Sequence, residues 1–167
     1  MKTARSIIVL ILVVIGGMCL AHCQDNVSVS IHQDGRLFFV GDDKGNEAVT
    51  PNVLLRFNLK CKQDKIGYGF IFPEVEFADL QGGDYYRYSL NGGYTFNQIT
   101  PNLEASLTGG YGLIHRNGLA YRSFGCSGIL SYKLGRFSPS LILQGVDRTD
   151  INKFGISGFF GLEYNFK

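Results

Sequence analysis

The sequence predicts an all-β chain: an antiparallel, up-and-down barrel of eight strands that spans a membrane. Three observations carry that reading. Apolar residues alternate with small or polar ones at a period of two, the side-chain period of a strand. The longest alternating runs reach the roughly 9–11 tilted residues that cross a bilayer. Charge gathers between the runs, at Asp42-Asp43-Lys44, Lys62 to Lys65 and Asp147 to Asp150.

A chain of 167 residues fits one domain. It is rich in Gly (22), Phe (13) and Tyr (9), and it has no Trp. Lys and Arg number 16 against 14 Asp and Glu, and no basic stripe stands out. Nucleic-acid binding therefore has no electrostatic footprint.

Lys2 and Arg5 precede an unbroken apolar run, Ile7 to Ile15, which Gly16-Gly17 ends. Ala21-His22-Cys23 then places small residues before Gln24. This layout predicts a secretory signal peptide over residues 1–23, leaving 24–167 as the barrel. The run is short for a spanning helix, which needs about 20 residues. Leu20-Ala21-His22-Cys23 also resembles a lipoprotein signal, with His22 where that motif takes a small residue.

In the mature chain Val27, Val29 and Ile31 alternate with Ser28, Ser30 and His32. Leu37 to Val40 follows Asp34-Gly35, a pair that can turn a hairpin. A hairpin there would leave arms too short to span and an odd strand count, so one long, irregular first strand over 27–40 is expected. After the polar loop 41–52, Val53, Leu55, Phe57 and Leu59 form the second strand. In the third, Ile66, Tyr68, Phe70 and Phe72 share one face, and the phase slips to Val75 and Phe77 at Pro73. Proline lacks the N–H of a ladder bond, so a bulge is expected there, turning Glu74 and Glu76 to the other face.

Past the loop 78–84, Tyr86, Tyr88, Leu90, Gly92, Tyr94 and Phe96 alternate with Arg87, Ser89, Asn91, Gly93 and Thr95. The fifth strand sets Leu103, Ala105, Leu107, Gly109, Tyr111 and Leu113 against Glu104, Ser106, Thr108, Gly110 and Gly112. The sixth sets Phe124, Cys126, Gly128, Leu130, Tyr132 and Leu134 against Ser123, Gly125, Ser127 and Ser131. The seventh carries Phe137, Pro139, Leu141 and Leu143. Loops 41–52, 78–84, 115–120 and 146–153 then share the outer end of the barrel.

The closing strand, Phe154 to Lys167, alternates most regularly, through Ile156, Phe160, Leu162, Tyr164 and Phe166. A last strand of this kind resembles that of bacterial outer-membrane barrels, among them the small eight-stranded OmpA- and OmpX-like proteins. Those proteins usually end on the aromatic residue, whereas Lys167 follows Phe166 here. The resemblance implies the outer membrane of a Gram-negative bacterium and lipid around the wall. It also implies that Phe160, Leu162, Tyr164 and Phe166 form the signal read by the barrel-assembly machinery.

A soluble, lipocalin-like barrel is the rival, with its apolar face turned inward. Its outer face would carry many Lys and Glu. The more polar face here is mostly Gly, Ser, Asn and Thr, small enough for a narrow lumen. Aromatic residues also gather near the strand ends as interfacial girdles do: Phe39, Phe77, Tyr85, Tyr86, Tyr121 and Phe154 at one level, and Tyr68, Phe96, Tyr132, Phe137 and Phe166 at the other.

Candidate chemistry is sparse. Cys61 and Cys126 fall on strands that are not neighbours, so no disulfide is expected. No His, Cys and Asp cluster has metal-ligand spacing, and no cofactor is implied. His115, Ser123 and Asp147 fall near one rim, the residue types of a lipid-modifying hydrolase, but a triad is defined by geometry. The polar faces contribute Arg56, Arg87, Glu104 and Glu163, and the bulge would add Glu74 and Glu76. Folding about Leu80-Gln81 sets Glu74 level with Arg87. Ionised groups in a narrow interior are costly unless paired, so ion pairs are expected in the lumen. The whole predicts a plugged, monomeric, non-enzymatic membrane barrel with a structural, envelope-integrity or surface-adhesion role. A narrow channel or a lipid-modifying enzyme is the alternative.

Overall fold

Eight antiparallel strands follow one another round a closed wall in the computed structural model, which describes residues 26–42, 45–61, 63–97, 100–151 and 153–166. They are β1 (Asn26–Asp34), β2 (Asn52–Lys60), β3 (Gly67–Ala78), β4 (Tyr85–Phe96), β5 (Leu103–Arg116), β6 (Leu119–Tyr132), β7 (Phe137–Arg148) and β8 (Lys153–Asn165). One short helix, α1 (Gly35–Phe39), follows β1. The expected signal segment and Cys23 lie outside the described residues.

The register defines the tilt. Partners run round the wall from Asn26 through Lys60, Phe70, Gly93, Thr108, Ser127 and Gln144 to Ser157. In the register of Asp34↔Phe159, Ser157 stands level with position 36, ten residues beyond the start. Such a stagger tilts the strands by about 35–45° and leaves an eight-stranded interior that side chains fill.

Alternation places one face of each strand inside. Ser28, Ser30, His32, Arg56, Asn58, Glu74, Arg87, Asn91, Glu104, Ser123 and Gln144 are buried. Large apolar residues cover the outside, among them Leu55, Phe57, Tyr88, Leu90, Leu107, Leu130, Leu141 and Leu143, all exposed.

Four expectations are corrected. The first strand stops at Asp34. Its carboxylate accepts the Leu37 N–H at 3.0 Å and caps α1, so 35–40 is neither strand nor hairpin arm. β3 has no bulge at Pro73. Its register against β4 runs unbroken from Gly67↔Phe96 to Ala78↔Tyr85. Pro73 sits on the outer side opposite Leu90, so Tyr68, Phe70 and Phe72 share the inner face with Glu74 and Glu76. Tyr68 and Tyr85 are therefore interior residues, outside the girdles. Of the expected loops, 115–120 is largely strand and 146–153 is half strand. Asn117-Gly118, both at positive φ, join β5 to β6 as a two-residue turn, and β7 continues to Arg148. Lastly, Cys61 is disulfide-bonded, while Cys126 is a free thiol exposed on the outer face.

Candidate functional site in the barrel interior

Glu74 on β3 is the hub of the interior. Its Oε2 accepts from Arg56 Nε on β2 at 2.7 Å, and its Oε1 accepts from Arg87 Nη1 on β4 at 2.6 Å. Ser89 Oγ (3.2 Å) and Gln144 Nε2 on β7 (3.1 Å) also donate to Oε1. Arg87 Nε donates to Ser123 Oγ on β6 at 3.0 Å. Arg56 also lies over the Phe72 ring, 4.8 Å from its centroid. Glu74, Arg56 and Arg87 are 2%, 4% and 0% exposed, so the network is sealed from solvent. Five strands are tied together across the lumen. Gly125 makes room for this, because a Cβ there would stand 2.6 Å from Arg87 Nη2.

The register departs from the expected level pairing. Arg87 stands directly opposite Glu76, and Glu74 opposite Ser89. The ladder turns one residue further along than Leu80-Gln81, and Arg87 reaches Glu74 diagonally. Glu76 instead accepts a 3.4 Å bond from Tyr85 Oη.

The remaining charges lie at the two ends. Toward the start of β1, Lys60 Nζ meets Glu163 Oε1 at 2.5 Å and Asn165 Oδ1 at 2.6 Å. Lys133 Nζ meets Glu104 Oε1 at 2.7 Å, and Tyr68 Oη donates to Glu104 Oε2 at 3.2 Å. Toward the other end, Asp150 takes Arg148 at 2.8 Å and Arg116 at 3.4 Å. Burial alone would raise the Asp150 carboxyl, but these two guanidiniums hold it below its ordinary value. Asp64, in the turn before β3, is also held low, by the N–H groups of Gly67 and Ile66.

Apolar groups close the gaps. Tyr68, Phe70 and Phe72 line one side, with Leu54, Ile142 and Phe159 packed across from them over Ile129. Ala78, Tyr85, Ile114 and Val146 fill the end beside the Arg148–Asp150 pair.

Of the six charged residues picked from the sequence, the structure joins Arg56, Glu74 and Arg87, while Glu76, Glu104 and Glu163 have separate partners. Lys60, Lys133, Ser123 and Gln144 were missed as members. Lys133 lies just beyond the end of β6, where the alternation gives no warning. His115, Ser123 and Asp147 do not converge. Ser123 is bonded to Arg87 inside, while His115 packs edge-on to Tyr88 outside, 5.9 Å between centroids. Phe160, Leu162, Tyr164 and Phe166 follow one outer line, with Tyr164 5.2 Å from Phe137 and 5.1 Å from Phe166.

No family model matches the chain, and no curated protein matches it in sequence. A solved structure does match: the Yersinia pestis outer membrane protein Ail in a phospholipid bilayer nanodisc. The TM-score is 0.57 at 15% identity, over 84% of this chain and 99% of that one. The chain shares the fold of an outer-membrane barrel. No metal-binding group of His, Cys, Asp and Glu occurs among the described residues.

Proposed function

We propose that the protein is an integral outer-membrane barrel of a Gram-negative bacterium, acting without catalysis in envelope structure or surface contact. One observation carries this reading: the chain is inside-out relative to a soluble protein. Leu90, Leu107, Leu141 and Leu143 are 60–65% exposed on the wall, while Arg56, Glu74 and Arg87 are sealed within. A continuous exposed apolar belt on a closed barrel suits lipid and is unfavourable in water. It also weighs against a soluble binding barrel.

Residues 1–23 act as the export signal in this reading, and β8 as the segment the assembly machinery engages. The partners are membrane lipid and that machinery, and the barrel works as a monomer. The connections after β1, β3, β5 and β7 face the cell exterior. Only 35–51 is long, so a surface partner would meet a small area.

The test is refolding into lipid vesicles and planar bilayers. The expected result is a heat-modifiable, vesicle-bound β-protein with no stable single-channel current. Stable, ion-selective currents would overturn the plug, and a monodisperse protein free of detergent would overturn the membrane placement.

A further inference from the structure

The seam where β8 meets β1 is built unlike the rest of the wall. Its ladder ends at Asp34↔Phe159, but β8 continues beyond it to Lys153, paired only with β7. α1 occupies the place where β1 would have continued. A Cβ on Gly35 would stand 3.5 Å from the Gly158 carbonyl oxygen, so helix and strand meet closely. The helix then lies against the outside of the barrel. Phe39 stacks on Phe160 at 5.6 Å and 25°, and Phe38 meets the same ring edge-on at 5.6 Å. Phe160 belongs to the outer belt, midway along β8, opposite Leu141.

Beyond that contact large apolar side chains dominate the segment's surface, with Arg36 and Glu47 also exposed among them. Phe39, Val40 and Val49 are 69%, 78% and 68% exposed. Its backbone is prepared for a medium without water. The Leu37 N–H goes to Asp34 Oδ1, the N–H groups of Val40 and Gly41 go to the Arg36 carbonyl, and the Phe38 carbonyl accepts from Val49. Backbone at membrane depth needs such internal pairing. In the following loop Asn46 donates to Asp42 and accepts the Gln81 N–H of the next connection.

We propose that Phe38, Phe39, Val40 and Val49 form a lipid anchor, immersed in the acyl chains beside the β1–β8 seam. The occupant follows from continuity: the patch extends the belt through Phe160. This rests on the membrane reading above, and the experiment separates the two.

The chain has no tryptophan, so each of three variants carries a single reporter. Phe39→Trp probes the anchor, Leu90→Trp the belt and Asp79→Trp the exposed β3–β4 connection. Each is refolded into phosphatidylcholine vesicles with and without acyl-chain bromination, and folding is checked by circular dichroism. Val40→Trp replaces Phe39→Trp if that variant does not fold. The expected result is blue-shifted emission and several-fold quenching for the anchor and belt variants, with little for Asp79→Trp. Quenching at the belt with water-like emission at the anchor overturns the anchor and leaves the membrane barrel standing. No quenching at either position overturns both.

Discussion

The β5–β6 hairpin and the β1–β8 seam solve the same problem with different means. In the hairpin, pairing runs from Leu103↔Tyr132 to Arg116↔Leu119 and ends in a two-residue turn. Neighbours in sequence become neighbours in space, and the turn sets the register. The seam joins the two ends of the barrel, and its ladder spans only Ser28↔Asn165 to Asp34↔Phe159. No turn sets its register. Close backbone approach and side chains reaching through the lumen do so instead. At Gly161 a Cβ would lie 2.0 Å from the Ile31 carbonyl oxygen, whereas at Gly128 in the hairpin it would meet nothing within 4 Å. Gly161 faces the lumen and Gly128 faces outward, and lumen-facing glycines of local hairpins are just as tight, a Cβ on Gly112 standing 2.1 Å from the Tyr88 carbonyl oxygen.

The largest expected effect removes the hub of the lumen network. Glu74→Ala leaves Arg56 and Arg87 buried without their carboxylate, and breaking a buried pair costs about 3–5 kcal/mol. Urea unfolding in vesicles measures it. A near-neutral result would mean that the network does not hold the two sides of the barrel together. Next, Leu107→Arg on the hairpin's outer face should cost roughly 2–4 kcal/mol near the membrane midplane. Unchanged folding into vesicles would put that face out of lipid. The comparison itself is tested by Gly161→Val beside Gly128→Val. Overpacking typically costs about 1–3 kcal/mol, which the seam variant should show in full and the hairpin variant should escape. Equal losses would remove the distinction between the tight inner position and the open outer one.

The smallest effect concerns pH. Asp150 is held below its ordinary value, so its ion pairs contribute in full above the unfolded value, about 4. That contribution fades as pH falls through the lower folded value. Unfolding midpoints at pH 7 and pH 3 should therefore differ by less in Asp150→Asn than in the parent protein. An unaltered difference would assign the acid sensitivity to other carboxylates.

The strands were legible because a wall with one apolar and one polar face writes a period of two into the chain. Arg87, between Tyr86 and Tyr88, could be placed inside for that reason. β3 was harder, since Tyr68, Phe70 and Phe72 are as apolar as an outer face should be. Only the unbroken register with β4 shows that they point inward. The diagonal reach of Arg87 to Glu74 depends on side-chain length and on the space left by Gly125, neither of which a pattern conveys. α1 was missed because Leu37 to Val40 also reads as strand. Its signal was Asp34, three residues before the N–H that it caps.

The early end of β1 gives the molecule a front and a back. On the β1 side the wall stops at Asp34, while β5 and β6 rise to Arg116 and Leu119 on the far side. A bilayer of uniform thickness meets a cylinder of even height equally all round, but it meets this one with a mismatch on a single side. Mismatch costs fractions of a kcal/mol per Å, enough to bias how a membrane protein sits among its neighbours. The barrel has no rotational symmetry about the membrane normal, so it carries a heading in the plane of the membrane.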